Sequence, residues 1–318
     1  MVSRRILYLF PDRSSELLRR YEEGEFWPDY ATAATRAGLD FAVAAPDHLA
    51  IADGVARHRD DILSPARDIV VYGVRTGPTH LPDLWTGLSI VRCLQALGFW
   101  LPIPLETGIL LNDKYATLHA FADSPVPPLP TVRLTADRDV HRLGHHRLVP
   151  DDWFPVFVKP TAWSGGQGCV PCDDRASLEA VLGLAAGSGT GVIVQPRLPD
   201  VVADTRVVVV EGEIVAMFDR RPKPGSHVAN VSRGGSFAAR QEIEPAVHKL
   251  ARLVTERLNL AYVCIDLLRT ADGSLWLSEL EADGAVSRLL CPPERVHEVV
   301  AARFAAYARR LDGWAAAG

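Results

Sequence analysis

Residues 156–168 read VFVKPTAWSGGQG, an apolar run that ends at a lysine and continues into a glycine-rich turn. The apolar run predicts a β-strand over Val156–Lys159. A turn with several glycines lets backbone N–H groups come close to phosphate oxygens, and Lys159 adds a positive charge. The spacing fits neither a Walker A loop nor a dinucleotide fingerprint, so an ordinary surface loop is the alternative. The turn residues concerned are Ser164, Gly165, Gly166 and Gly168.

Three carboxylates towards the other end of the chain form a second candidate site. Asp266 lies in the apolar run CIDLL (264–268), and Glu279 and Glu281 flank Leu280 on the next predicted strand. Side chains two residues apart on a strand share a face, and a hairpin partner could bring Asp266 beside the glutamates. Hard oxygen ligands of this kind suit Mg²⁺ that also binds phosphates. The solvated face of an edge strand is the alternative interpretation.

Basic residues lie between these two stretches. Asp204 and Arg206 open a predicted strand, Arg220 follows a predicted hairpin, and Arg233 follows Asn230 in a glycine-containing segment. Guanidinium groups match both a triphosphate and a carboxylate, because their donors form a planar fork. A solvated basic face would give the same pattern.

The first 112 residues alternate strand-like and helix-like segments, which favours a parallel sheet flanked by helices. The Pro-rich stretch 124–130 predicts a stiff connection, and residues 135–152 are predicted to form a loop. The predicted strands of this first part are Arg5–Phe10, Asp40–Ala45 and Asp68–Val74, and its predicted helices are Asp29–Gly38 and Leu84–Leu97.

The second half of the chain favours antiparallel pairs. Two β-hairpins are predicted, with turns at Glu211-Gly212 and Asp272-Gly273. Helices are predicted over Pro245–Leu258 and Arg295–Leu311. The strands predicted here are Gly191–Gln195, Thr205–Val210, Glu213–Phe218, Tyr262–Arg269 and Ser274–Leu280. The alternation before residue 112 and the hairpins after it indicate that the two halves of the chain are built differently.

Composition excludes several classes of protein. The 318 residues carry a net charge of −5 with 23% charged residues, which suits a globular chain and lacks the basic footprint of a nucleic-acid binder. No secretory signal or membrane-length apolar run is present, so a cytoplasmic protein without a membrane partner is expected. Five scattered cysteines indicate reduced thiols. Cys169 and Cys172 have redox-like spacing, but ordinary packing is favoured because no second pair follows.

These motifs in their order resemble the ATP-grasp superfamily, in the branch that holds glutathione synthetase, the ribosomal-protein glutamate ligase and D-cycloserine ligase. The resemblance spans residues 70 to 290. It implies an α/β fold with three parts. These are a Rossmann-like N-terminal domain over residues 1–112, an ATP lid over residues 113–190 and a C-terminal ATP-grasp domain over residues 191–318. The motifs are Lys114, Lys159 with the glycine loop, Gln195-Pro196-Arg197-Leu198, Asp204-x-Arg206, Asn230-x-x-Arg233, Asp266 and Glu279-x-Glu281.

The resemblance also implies a role for each matching residue. Lys114 and Lys159 would contact ATP phosphates, under a mobile flap formed by Ser164 to Gly168. Arg233 would stabilise an oxyanion. The remaining implied roles are an adenine hinge at Gln195, Pro196, Arg197 and Leu198, a ribose contact at Asp204, phosphate or acyl-phosphate contacts at Arg206 and Arg220, and two Mg²⁺ or Mn²⁺ ions at Asp266, Glu279 and Glu281.

The function implied is ATP-dependent ligation of a carboxylate to an amine through an acyl phosphate. Small-molecule substrates are expected, and the resemblance allows a homodimer. Two positions depart from the family pattern: Glu281 replaces a common asparagine, and residues 282–285 replace its Asn-x-x-Pro-Gly continuation. The alternatives are a ligase that adds amino acids to a protein or peptide, a non-catalytic nucleotide-binding module, and a phosphotransferase.

Overall fold

The computed structural model describes residues 3–10, 16, 20, 23–24, 26–72, 83–135, 144–163, 165–221 and 236–317. The N-terminal part is built on a three-stranded parallel sheet in the order β2-β1-β6, as predicted. Its strands are β1 (Arg5–Leu9), β2 (Asp40–Ala44), β3 (Leu49–Ala52), β4 (Val55–His58), β5 (Asp61–Ile62) and β6 (Asp68–Tyr72). Its helices are α1 (Trp27–Arg36), α2 (Asp83–Ala96), α3 (Leu105–Leu111) and α4 (Lys114–Ala120).

The small antiparallel sheet β3-β4-β5 was not predicted. Its first hairpin turns at Asp53 and Gly54, which both have positive φ angles of 51° and 76°. An Asp-Gly pair is a strong hairpin signal because a tight two-residue turn needs such angles. The sequence therefore contained the signal for this hairpin.

A second sheet has the order β7-β10-β8-β9. The strand β10 pairs with both β7 and β8, so residues 192–196 belong to this sheet. The unit boundary predicted at residue 190 lies just before this strand. Asp174 caps the helix of this unit through a reciprocal pair of hydrogen bonds with Ser177. The elements are β7 (Val132–Leu134), β8 (Val156–Pro160), β9 (Val170–Cys172), α5 (Arg175–Gly187) and β10 (Val192–Pro196).

The third sheet has the order β13-β12-β11-β14-β15 and contains both predicted hairpins side by side. They are joined by antiparallel pairing of β11 with β14, which sequence reasoning did not predict. The elements are β11 (Val201–Val210), β12 (Glu213–Arg221), β13 (Ser236–Ala239), α6 (Pro245–Leu258), β14 (Tyr262–Thr270), β15 (Leu275–Glu281) and α7 (Pro293–Ala317).

Both faces of the third sheet are buried. Successive side chains on a strand point to opposite faces, and apolar side chains of β11 pack on each face. Val207 and Val209 pack in one core with α6, whereas Val208 and Val210 pack in another with α1, α7 and β1. The second core therefore joins the N-terminal sheet to the third sheet. None of the helices in the described part of the chain combines the length and apolar character that a membrane crossing requires.

Candidate active site

A cavity of about 530 Å³ lies where the three parts of the fold meet. The second sheet contributes Lys159 and Gln195, and the third sheet contributes Arg206 and Asp266. Phe26, just before α1, closes another part of the wall. A volume of this size is typical of small-molecule sites, which also tend to lie between domains.

The carboxylate cluster is Asp266, Glu279 and Glu281. Their oxygens lie within 4.8 Å of one another. Asp266 on β14 stands opposite Glu279 on β15, and the register shifts directly after this pair. The shift places one extra residue, Ser278, in β15. Because of this bulge, both glutamates face the cavity while Leu277 and Leu280 stay in the core beneath α6.

Two arginines hold the most buried carboxylate of this cluster. Arg206 stands directly opposite Asp266, which is only 5% exposed. Its Nε and Nη2 atoms donate to Asp266 Oδ1 and Oδ2 at 2.9 and 2.8 Å, and Nη2 also donates to Glu281 Oε2 at 2.7 Å. Arg220 Nη2 lies 2.8 Å from Asp266 Oδ2. Burial alone would raise the pKa of Asp266, but the two guanidinium groups lower it well below its usual range.

Arg220 also links this cluster to Asp204, its partner across β11 and β12. Its Nη2 donates to Asp204 Oδ1 at 2.7 Å. Burial raises the pKa of Asp204, and Arg220 opposes that shift. The Nε atom of Arg220 is buried and has no hydrogen-bond partner among the described residues, although the side chain lines the cavity. A buried donor without a partner is costly, so an anionic ligand at this point would be favourable.

The opposite wall presents lysines. Lys159 at the end of β8 donates from Nζ to Gln195 Oε1 at 2.8 Å, and Gln195 Nε2 donates to Thr131 Oγ1 at 2.9 Å. Removal from water lowers the pKa of Lys159, an effect that the neighbouring Cys169 and Glu279 oppose. The side-chain amide of Gln195 therefore fixes the ammonium group towards the cavity.

Lys114 connects the two walls. It is the first residue of α4, whose N-terminus is capped by the Asp113 side chain. Lys114 Nζ donates to the Trp163 carbonyl at 2.6 Å and lies 3.0 Å from Glu279 Oε1. One ammonium group thus contacts both the start of the glycine turn and the carboxylate cluster.

The glycine turn has a backbone conformation and close contacts that favour residues without a side chain. Gly165, Gly166 and Gly168 have φ angles of 68°, 67° and 66°, a region that other residues seldom adopt. A Cβ atom on Gly168 would lie 2.7 Å from Pro160 Cγ. Gly165 and Gly166 line the cavity, so their backbone is accessible to a ligand there.

The structure brings most of the predicted site residues to this one cavity. Gly168 is not among its described lining residues but shapes the turn beside it. Ser164, Asn230 and Arg233 lie outside the described residues. The predicted residues that line the cavity are Lys114, Lys159, Gly165, Gly166, Gln195, Pro196, Arg197, Leu198, Asp204, Arg206, Arg220, Asp266, Glu279 and Glu281.

Sequence reasoning missed the support beneath this cluster. Tyr262 and Cys264 share the face of β14 that carries Asp266, and the Tyr262 hydroxyl donates to the Gly284 carbonyl at 2.6 Å. A Cβ atom on Gly284 would lie 2.6 Å from Cys264 Cβ, so the chain after β15 needs glycine to pass this closely. Tyr262 and Cys264 precede Asp266 by four and two residues, so the alternation of side chains along a strand could have predicted that all three share one face. Cys169 lines the cavity, whereas Cys172 is buried.

Comparisons with known proteins agree with this architecture. A family model for the RimK-like ATP-grasp domain matches residues 112–289. A probable alpha-L-glutamate ligase of Citrobacter koseri is 30% identical over 234 residues, which cover 67% of this chain and 72% of the relative. A ribosomal protein bS6–L-glutamate ligase of Salmonella schwarzengrund is 31% identical over the same lengths. The crystal structure of D-cycloserine synthetase DcsG has a TM-score of 0.69 at 21% identity and covers 96% of this chain and 99% of that one.

The fold and its cavity define an ATP-grasp enzyme, a ligase that forms carbon–nitrogen bonds. Within that class, the chain belongs to the RimK-like ATP-grasp family. Ligases of this superfamily generally use ATP together with Mg²⁺.

Proposed function

We propose that the protein uses ATP to activate the carboxylate of a small molecule as an acyl phosphate and then joins it to an amine. The observation that carries this proposal is the arrangement of the cavity walls. Lys159 and the glycine turn on one sheet face Asp266 and Glu279 on another. A triphosphate between these walls would meet lysine and backbone donors on one side and metal-bound carboxylates on the other.

The residues present fit both implied ligands. Three carboxylates whose oxygens lie within 4.8 Å of one another form a hard donor set that suits Mg²⁺ or Mn²⁺. The unpartnered Nε atom of Arg220 suits an anionic phosphate. When bound, one or two magnesium ions at Asp266, Glu279 and Glu281 would neutralise phosphate charge during transfer.

The proposed chemistry has two steps. First, a carboxylate oxygen of the substrate attacks the γ-phosphorus, the bond to the bridging oxygen breaks, and ADP leaves. Next, the amine attacks the acyl carbon, phosphate leaves, and the amine loses a proton. A bare carboxylate cannot react in this way because its leaving group would be oxide. Lys114, Lys159, Arg206 and Arg220 would hold the phosphates, and Arg233 would donate to the oxyanion of the second step.

The remaining residues would position the nucleotide. The segment 195–198 lines the cavity where β10 ends, so its backbone groups could bind the adenine, and Asp204 could bind the ribose. The glycine turn would close over the β- and γ-phosphates, as expected for a flap that keeps water from the acyl phosphate.

A small-molecule substrate is favoured by the apolar part of the cavity lining. This part includes Phe26, Ile103 and Leu290, which suits a compact ligand with an apolar portion. Ligation of an amino acid to a protein is the second candidate. It is favoured by the similarity to a ribosomal protein bS6–L-glutamate ligase.

The test is a panel of acids and amines, scored for ADP, phosphate and amide product. The panel pairs amino acids and dipeptides in one arm and supplies intact proteins as acceptors in the other. ADP release that requires both an acid and an amine supports ligation. ADP release with an acid alone and no amide favours a phosphotransferase or an uncoupled ATPase, and absence of nucleotide binding refutes the proposal.

Matched variants locate the activity at the cavity. Glu279→Gln should abolish ADP release, because it removes a proposed metal ligand. Glu244→Gln is the control: Glu244 pairs with Arg269 in the same unit, and neither side chain is among the described lining residues of the cavity. Equal loss of activity in both variants would contradict the proposed site.

A further inference from the structure

The basic residues around the carboxylate cluster match its charge. Arg206 contacts Asp266 and Glu281, Arg220 contacts Asp266, and Lys114 contacts Glu279. Three carboxylates thus face three cationic side chains within hydrogen-bond distance. The protein's own cationic side chains therefore already pair with every carboxylate of this cluster.

Arg206 makes the most hydrogen bonds to the carboxylate cluster. Its guanidinium group contacts two of the three carboxylates at once, with two parallel bonds to Asp266. It is only 7% exposed, so water screens this attraction weakly. A divalent cation that enters alone must compete with this guanidinium group for the same oxygens, and it adds two positive charges to carboxylates that are already paired with cationic side chains.

A bound triphosphate changes this balance. It brings negative charge to the wall where Arg206 and Arg220 already line the cavity. A guanidinium group can then pair with phosphate oxygens, whose geometry it matches as well as it matches a carboxylate. The oxygens of Asp266 and Glu281 become available to the cation in the same event.

We propose that Arg206 is an internal counter-ion that makes divalent-cation binding conditional on nucleotide binding. The inference rests on the proposed nucleotide and metal sites and adds a role for Arg206 in the nucleotide-free protein. By linkage, a cation and a nucleotide that displace the same ion pair bind cooperatively, and each raises the affinity for the other by the same factor.

Mn²⁺ binding tests this role without requiring turnover. The paramagnetic resonance signal of free Mn²⁺ is titrated with the full chain, with and without a non-hydrolysable ATP analogue, and the Mn²⁺ that the analogue binds without protein is subtracted. Wild-type protein should bind Mn²⁺ weakly alone and much more tightly with the analogue. Arg206→Met should bind Mn²⁺ alone about tenfold more tightly than wild type, because the competing charge is gone. The gain from the analogue should shrink in this variant.

The control is Arg269→Met. Arg269 is also buried on the third sheet and paired with a carboxylate, Glu244, but it is not among the described residues that line the cavity. This variant should leave the affinity for Mn²⁺ at the wild-type value. A purely structural role for Arg206 would lower Mn²⁺ affinity in Arg206→Met rather than raise it.

Each outcome decides between the proposals. Equal Mn²⁺ affinity of wild type and Arg206→Met without nucleotide overturns the counter-ion role while leaving the ligase proposal intact. Tight Mn²⁺ binding by wild-type protein alone, unchanged by the analogue, overturns it even where the variant does not fold. Absence of Mn²⁺ binding with the analogue present refutes the metal site, and with it the proposed function.

Discussion

Asp266→Asn should destabilise the fold far more than the loss of one surface charge. The Asp266 carboxylate accepts two hydrogen bonds from Arg206 and lies 2.8 Å from Arg220 Nη2, and it is 5% exposed. Asparagine removes the negative charge and places an NH₂ group against guanidinium donors. Breaking a buried ion pair by changing one partner costs about 3–5 kcal/mol, because the remaining charge stays buried.

The assay is urea unfolding of wild type and variant between pH 5 and pH 8. The guanidinium groups lower the pKa of Asp266 in the folded state, so its contribution to stability is complete above its unfolded value of 3.8. It is lost only as pH falls through the folded pKa. The difference between wild type and variant should therefore be constant from pH 8 to pH 5.

The control is Asp123→Asn. Asp123 is an exposed carboxylate paired with Arg257 at 2.8 Å, and its loss should change the unfolding free energy far less. A difference for Asp266→Asn no larger than that of the control would refute the buried network. A difference that declines between pH 7 and pH 5 would show that the pKa is raised instead.

Three further predictions concern the cavity and its support. Gly284→Ala should lower the unfolding free energy by about 1–3 kcal/mol, because the added methyl group overpacks against Cys264. Gly183→Ala, on the exposed side of α5, should instead raise the unfolding free energy by about 0.5–1 kcal/mol. Denaturation in urea measures the sign of both changes. Tyr262→Phe should cost about 1–3 kcal/mol in the same assay because the Gly284 carbonyl loses its donor, and an unchanged midpoint would contradict this bond. Lys159→Met should weaken binding of an ATP analogue at least about tenfold by calorimetry, and an unchanged affinity would remove Lys159 from the nucleotide site.

The elements that sequence predicted well are those set by local chemistry. The hairpins at Glu211-Gly212 and Asp272-Gly273 are confirmed, and Glu211, Gly212 and Gly273 adopt the positive φ angles that such tight turns need. The helix Pro245–Leu258 was predicted with its exact bounds, because proline at its start and an apolar face define it.

The features that sequence could not predict depend on distant partners. The strand at Val192–Pro196 has the same apolar pattern whichever sheet it joins, so its pairing with β7 and β8 was not predicted. Similarly, the contact of Arg206 with Asp266 and Glu281 was not predicted. That contact follows from the pairing of β11 with β14, and no local signal sets the order of strands in a sheet.

The most direct test of the proposed nucleotide and metal site is a crystal structure with Mn²⁺ and a non-hydrolysable ATP analogue, in which the metal is located by its anomalous signal. We expect the metal ion to be bound by carboxylate oxygens of Asp266 and Glu279 and by the triphosphate. We expect Lys159 to contact the phosphates from the opposite wall of the cavity. A nucleotide bound elsewhere, or a metal peak remote from these two carboxylates, would contradict the proposed site.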